Sequence, residues 1–279
     1  MKIALCISGE PRQYLMTYKN MLEYYAPYKP DIFIHSWEDT THPGNNGEGR
    51  DQIYKQSYTK IDLKQTLKKL YSPKEILIEN KNVLDNVLGQ CTLPYNWLEK
   101  IKNTNLCSFS QWYSMRKCNE LKHSTEKKEK FTYDIVVKTR FDIIQDPKTN
   151  NSRQLIEFLK KENLIRKDVT QNGDCILTPW LYTTYKGQNW MEYCYMYGTS
   201  NAFNIICHGE MLHELSRYPL GRSHLNGNPH HVITEYIKSK KIPIIPKTIN
   251  YGIVRPNVNE VTSDLTILKN KYNEWREIQ

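Results

Sequence analysis

The sequence predicts a single α/β domain with a mostly parallel central sheet, and three observations carry that reading. The chain opens with a strand, a helix and a second strand joined by short turns, which is a βαβ unit. Short apolar runs of strand character then recur between helical stretches as far as residue 246. The 279 residues are 39% hydrophobic and 25% charged, a balance that suits one large folded domain and argues against disorder.

Each element has its own local reason. Residues 2–8 are an apolar strand stopped by the turn Gly9-Glu10-Pro11-Arg12. Over residues 13–28, Tyr14, Leu15, Tyr18, Met21, Leu22 and Tyr25 recur at helical spacing, and Lys29-Pro30 ends the run. Residues 31–35 form the second strand, released into Ser36-Trp37-Glu38-Asp39. Residues 40–53 carry Pro43, Gly44, Gly47 and Gly49, and are expected to be a mobile loop that closes over a ligand. A helix is expected over 61–71 and a strand over 75–79, with 80–105 irregular because of Gly89 and Pro94. Residues 109–121 read as a central helix capped by Ser108 or Ser110, followed by a charged linker at 122–130 and a strand from Tyr133. Further helices are expected from Asn151 or Ser152 to Glu162, over 200–217 and over 229–240. Strands are expected at 174–178, 242–246 and 251–254, with an aromatic segment at 180–197 before Gly198.

Composition removes several function classes. Seven cysteines without a C-x-x-C pair argue for a reducing cytoplasm and against a disulfide framework or a zinc ribbon. The apolar run at residues 3–7 is too short for a signal peptide, and no segment is long enough to span a bilayer, so peripheral membrane contact is the remaining option. The net charge of +9 sits largely in lysine-rich runs that read as solvated helix faces and linkers. No zinc finger, KH-type loop or RNP-type strand accompanies them, so no nucleic-acid partner is expected. Twenty tyrosines serve either as stacking platforms or as core. G-x-G-x-x-G, P-loop, H-E-x-x-H and G-x-S-x-G signatures are missing, and His224, His230 and His231 do not suit a zinc hydrolase.

The richest stretch chemically is YDIVVKTRFD at residues 133–142. In an extended chain Lys138, Arg140 and Asp142 share a face, so all three can point into a cleft at the carboxyl end of the sheet. Two cations and a carboxylate there suit an anionic ligand, with or without a metal. Gly9 lets backbone approach such a ligand, and Arg12 can fork onto a phosphate.

Four blocks in order, IALCISGEPR at 3–12, DIFIHSW at 31–37, SQWYSMRKCNEL at 110–121 and YDIVVKTRFD at 133–142, resemble a group of glycosyltransferase-like proteins. That group occurs in bacterial polysaccharide clusters and in large viruses and phages, and the resemblance covers about residues 1–145. It implies a GT-A-type, Rossmann-like fold in one domain. Residues 1–145 would form the nucleotide-sugar-binding half, and 146–279 the acceptor-binding half and tail. The implied activity is nucleotide-sugar-dependent transfer of a sugar to a glycan hydroxyl. The alternative is a non-catalytic glycan- or nucleotide-binding protein on a degenerate scaffold.

In such folds the central strand ends in Asp-x-Asp, which holds a divalent cation against the diphosphate; here the place reads Arg140-Phe141-Asp142. The arginine can neutralise a phosphate without metal, whereas Asp142 can ligate Mg²⁺ or Mn²⁺ or hold a sugar or ribose hydroxyl. Metal dependence stays open on the sequence. On the helix before that strand Gln111 can face the nucleotide cleft, and the resemblance implies that Lys117 matches the family's usual lysine. Glu192 is the one acid in the stretch before Gly198, and Glu235 sits in the late proline-plus-glutamate helix. An inverting mechanism needs a base, for which Glu235, His35 and Asp39 are the candidates; a retaining one does not.

Overall fold

A computed structural model describes residues 1–38, 60–90, 106–145, 174–178, 181–183, 189–191, 193–217, 229–246 and 251–253. Its centre is a seven-stranded sheet in the order β10-β6-β9-β4-β1-β2-β3. The strands are β1 (Ile3–Gly9), β2 (Asp31–Trp37), β3 (Glu75–Glu79), β4 (Ile135–Thr139), β6 (Ile176–Thr178), β9 (Met196–Gly198) and β10 (Ile244–Pro246). The β1–β2, β1–β4, β2–β3 and β6–β10 pairs are parallel, and β9 runs antiparallel between β4 and β6. This is the expected α/β fold with a mostly parallel central sheet. Two small antiparallel pairs lie outside it: β5 (Ile143–Gln145) with β11 (Tyr251–Ile253), and β7 (Leu181–Thr183) with β8 (Asn189–Met191).

Helices cover both faces, and the strands feed each with alternate residues. Ala4, Cys6, Phe33 and Val136 face a core built with Phe109, Trp112, Met115 and Cys118 of the long helix α4 (Leu106–Glu129). Ile3, Leu5, Ile7, Ile34 and Val137 face the other core, with Tyr14, Met21 and Tyr25 of α1 (Tyr14–Tyr25) and Leu63, Leu67 and Tyr71 of α2 (Lys60–Tyr71). Every residue of β1 and β4 is buried, as expected for central parallel strands covered on both sides. Many tyrosines are core groups: Tyr25, Tyr195 and Tyr197 join their hydroxyls in a buried cluster between α1 and β9. Gly198 is demanded by packing, since a Cβ there would come within 2.7 Å of the Cys175 carbonyl oxygen.

Several expectations need correction. Residues 83–90 form helix α3 (Val83–Gln90), which buries Leu84 and Leu88 one turn apart; Gly89 in its last turn masked that pattern. Helix α4 begins at Leu106, so Ser110 lies inside it and is not its cap. The charged linker at 122–130 is instead the last two turns of α4, ended by Lys130 in a left-handed conformation (φ 54°). Lys122 is fully buried there. It donates to Ser200 Oγ and Asn204 Oδ1 and pairs with Glu126, whose Oε1 also accepts from the Tyr133 amide. The expected helix over 200–217 is two helices, Ser200–Ile206 and Met211–Arg217, the first capped by Thr199 Oγ1 accepting from the Ala202 amide. A further helix spans Pro229–Ser239. The loop at 40–53, the helix expected at 151–162, and Asp39, Glu192 and His224 lie outside the described residues. No helix among the described residues is long and apolar enough to cross a membrane.

Candidate functional site

The sheet order sets where a ligand can sit. From β1 the chain builds outward through β2 and β3, then returns to place β4 on β1's other side. The crossovers on the two sides diverge, leaving a crevice beyond the carboxyl ends of β1 and β4. A cleft occupies that position, lined by Ser8, Gly9, Glu10, Arg12, Ser110, Gln111 and Arg140. Helix α4 contributes Ser110 and Gln111 from its second turn.

Of the cleft residues expected from sequence, Gly9, Arg12, Gln111 and Arg140 are brought together. Gly9 has φ +119°, a conformation that side chains resist, so the turn itself requires the glycine. Arg12 pairs with Glu10, which also accepts from Lys81 Nζ at 2.5 Å. Arg140 donates Nε–H to Asp142 Oδ1 at 2.9 Å and an Nη2 proton to Asp142 Oδ2, a bidentate fork, while Nη1 donates to Cys194 Sγ at 3.2 Å. Burial works against the Arg140 charge, but Asp142 and the Cys194 sulfur outweigh it and hold its pKa well above the ordinary arginine value. The turn bearing these groups is fixed from α1, where Thr17 Oγ1 donates to the Phe141 carbonyl and Asn20 bonds both the amide and the carbonyl of Gln145.

Other candidates lie elsewhere. Lys138 does not reach the cleft: it pairs in register with the core residue Cys6, and its Nζ donates to the carbonyls of Tyr193 (2.7 Å) and Cys194 (3.2 Å). The strand ends at Thr139, and the turn that follows breaks the alternation expected to align Lys138 with Arg140 and Asp142. Lys117 donates to Glu120 Oε2 at 2.9 Å and lies beside Tyr113, so it does not line the cleft either. Glu235 is ion-paired with Lys238 on the exposed side of its helix. His35 is fully buried under α4, its Nδ1 2.6 Å from Ser114 Oγ and its Nε2 2.9 Å from Glu79 Oε2. Neither base candidate is a lining residue.

Three lining or supporting groups escaped the sequence reading. Glu10 organises Arg12 and Lys81, a role that its place in a tight turn conceals. Cys194 receives Arg140 and, at 3.7 Å, the Gln111 amide; it is distant in sequence from both. The Ser8 hydroxyl is completely buried at the cleft wall and has no hydrogen-bond partner among the described residues.

The metal implied by the GT-A resemblance does not fit this arrangement. Both oxygens of Asp142, the expected ligand, accept from Arg140, and a divalent ion on their remaining lone pairs would sit against the guanidinium charge. Among the described residues no group of three histidine, cysteine, aspartate or glutamate side chains is placed to hold a metal.

The buried ionisable groups predict a two-step loss of stability in acid. Burial lowers the His35 pKa, against the pull of Glu79. Below the ordinary histidine value of about 6.5 the unfolded chain therefore binds more protons than the native one, and stability falls with pH. Burial alone would raise the Glu79 and Glu126 pKa values. Bonds from His35 and Tyr113 to Glu79, and Lys122 with the Ser200 hydroxyl beside Glu126, outweigh it and lower both. Their stabilisation is complete above the ordinary carboxylate value of about 4.3 and is lost as pH falls through the lowered values. Thermal melts should show a shallow decline starting near pH 6.5 and a steeper one below about pH 4. His35→Gln should remove the first; an unchanged first step in that variant would refute this assignment.

No protein-family model matches the chain, and no curated protein matches it in sequence. Among solved structures it is similar to mouse xyloside xylosyltransferase 1 in its apo form, at 10% identity and a TM-score of 0.37, over 88% of this chain and 84% of that one. So distant a likeness leaves the reading of the cleft to its own geometry.

Proposed function

We propose that this chain is a glycosyltransferase that binds a nucleotide-sugar across the β1–β4 cleft and passes the sugar to a hydroxyl of a glycan. The observation that carries the reading is the pair of guanidinium groups, Arg12 and Arg140, lining a switch-point crevice. Breaking the bond between the anomeric carbon and the phosphate oxygen leaves its electron pair on the departing phosphate. The acceptor oxygen bonds to the same carbon. Its proton passes to the departing phosphate or to a base on the acceptor side. Fixed positive charge beside the leaving group stabilises the transition state most, because the phosphate gains charge as the bond breaks.

The position of His35 and Glu235 outside the cleft favours a second reading, a protein that binds nucleotide or glycan without turnover. One panel separates the two: UDP-, GDP-, CMP- and dTDP-sugars, scored for binding and for release of nucleotide with glycan acceptors. Binding with transfer or slow donor hydrolysis supports the enzyme. Binding without either, in the presence of the native acceptor, supports the second reading, and no binding to any donor overturns both.

A further inference from the structure

Resting on the reading of the cleft as a donor site, we propose that Arg140 takes the place of a divalent cation, so the donor's diphosphate is held by guanidinium groups without metal. Asp142 then serves as a positioning residue that aims Arg140. The fork between them engages both carboxylate oxygens and fixes the guanidinium plane. A guanidinium has five N–H groups. Asp142 and Cys194 accept from three of them, which among the described residues leaves one on each terminal nitrogen for phosphate oxygens. Arg140 is 19% exposed, enough to meet a ligand at the cleft while its stem stays packed. Lys138 supports the same device from behind. Its bonds to the carbonyls of Tyr193 and Cys194 hold the segment that brings the Cys194 sulfur to Arg140.

A divalent ion bound to Asp142 would sit against the Arg140 guanidinium. The carboxylate accepts the guanidinium through both oxygens, so the two cations would lie side by side. A permanently charged arginine supplies its charge whatever the metal supply, whereas a metal-dependent site loses function in a chelator.

The test uses the full chain with two probes, inorganic pyrophosphate and Mn²⁺ alone. Calorimetry should show pyrophosphate binding in EDTA, weakened roughly tenfold or more in Arg140→Ala and less in Arg140→Lys, which keeps the charge but loses the fork. Asp142→Asn should weaken it only a few-fold, as expected for positioning. Electron paramagnetic resonance should show no uptake of Mn²⁺ by the wild-type chain. Binding of pyrophosphate only when Mn²⁺ is present, or Mn²⁺ uptake that Asp142→Asn abolishes, overturns the metal-free inference and leaves the donor reading standing. No pyrophosphate binding in either buffer, with no donor bound in the panel above, overturns both. Should Arg140→Ala fail to fold, equal affinity of Arg140→Lys and wild type would count against the inference.

Discussion

Replacing Arg140 with alanine should lower kcat/KM for the donor about 10²-fold or more, the usual effect of losing a preorganised charge that meets the developing negative charge. The same change strands the carboxylate of Asp142, which is only 3% exposed, so some loss of stability will accompany it. The double variant Arg140→Ala with Asp142→Asn separates these effects. Removing the stranded charge should recover most of the melting temperature while turnover stays low. Recovery of turnover along with stability would show that Arg140 is a structural ion-pair partner and no more. Lys127→Ala, an exposed residue in the last turn of α4, should match wild type in both measurements and serves as the surface control.

The largest stability effect should come from a place that does no chemistry. Glu126→Ala leaves the fully buried Lys122 ammonium without its carboxylate, and removing one partner of a buried pair costs about 3–5 kcal/mol. For a chain of this size that is a fall in melting temperature of roughly 10 °C. Lys122→Met combined with Glu126→Gln removes both charges, keeps an acceptor for the Tyr133 amide and the Ser200 hydroxyl, and leaves Asn204 Oδ1 with its donor from Asn119. It should lie within about 1–2 kcal/mol of wild type. Equal destabilisation by the single and double changes would mean that the charges are not coupled.

Lys122 also marks the limit of what the sequence made legible. Residues 122–130 carry so many charges that they read as a solvated linker, yet the helical period turns Lys122 and Glu126 inward onto the polar end of the Ser200–Ile206 helix. Local composition reports the mean polarity of a segment and not which face it presents. Strands were easier to find. The β1, β2 and β4 runs are apolar because both their faces are covered, and their placement in one sheet follows from the opening βαβ unit. At the cleft, Gly9, Arg12, Gln111 and Arg140 were legible because each lies at a strand end or helix start that the topology sends to one edge. Lys138 and His35 lie outside the cleft for one reason: each sits on the buried α4 face, where a polar group is kept by internal partners. Cys194 gave no signal, because its importance lies in contacts from distant residues.

The most direct measurement is a crystal structure of the chain with the nucleoside diphosphate of whichever donor the binding panel selects. The diphosphate should lie in the cleft between Arg12 and Arg140, with the Arg140–Asp142 fork intact. A nucleotide bound at another edge of the sheet, or a diphosphate in the cleft that leaves Arg140 turned away, would overturn the donor-site reading.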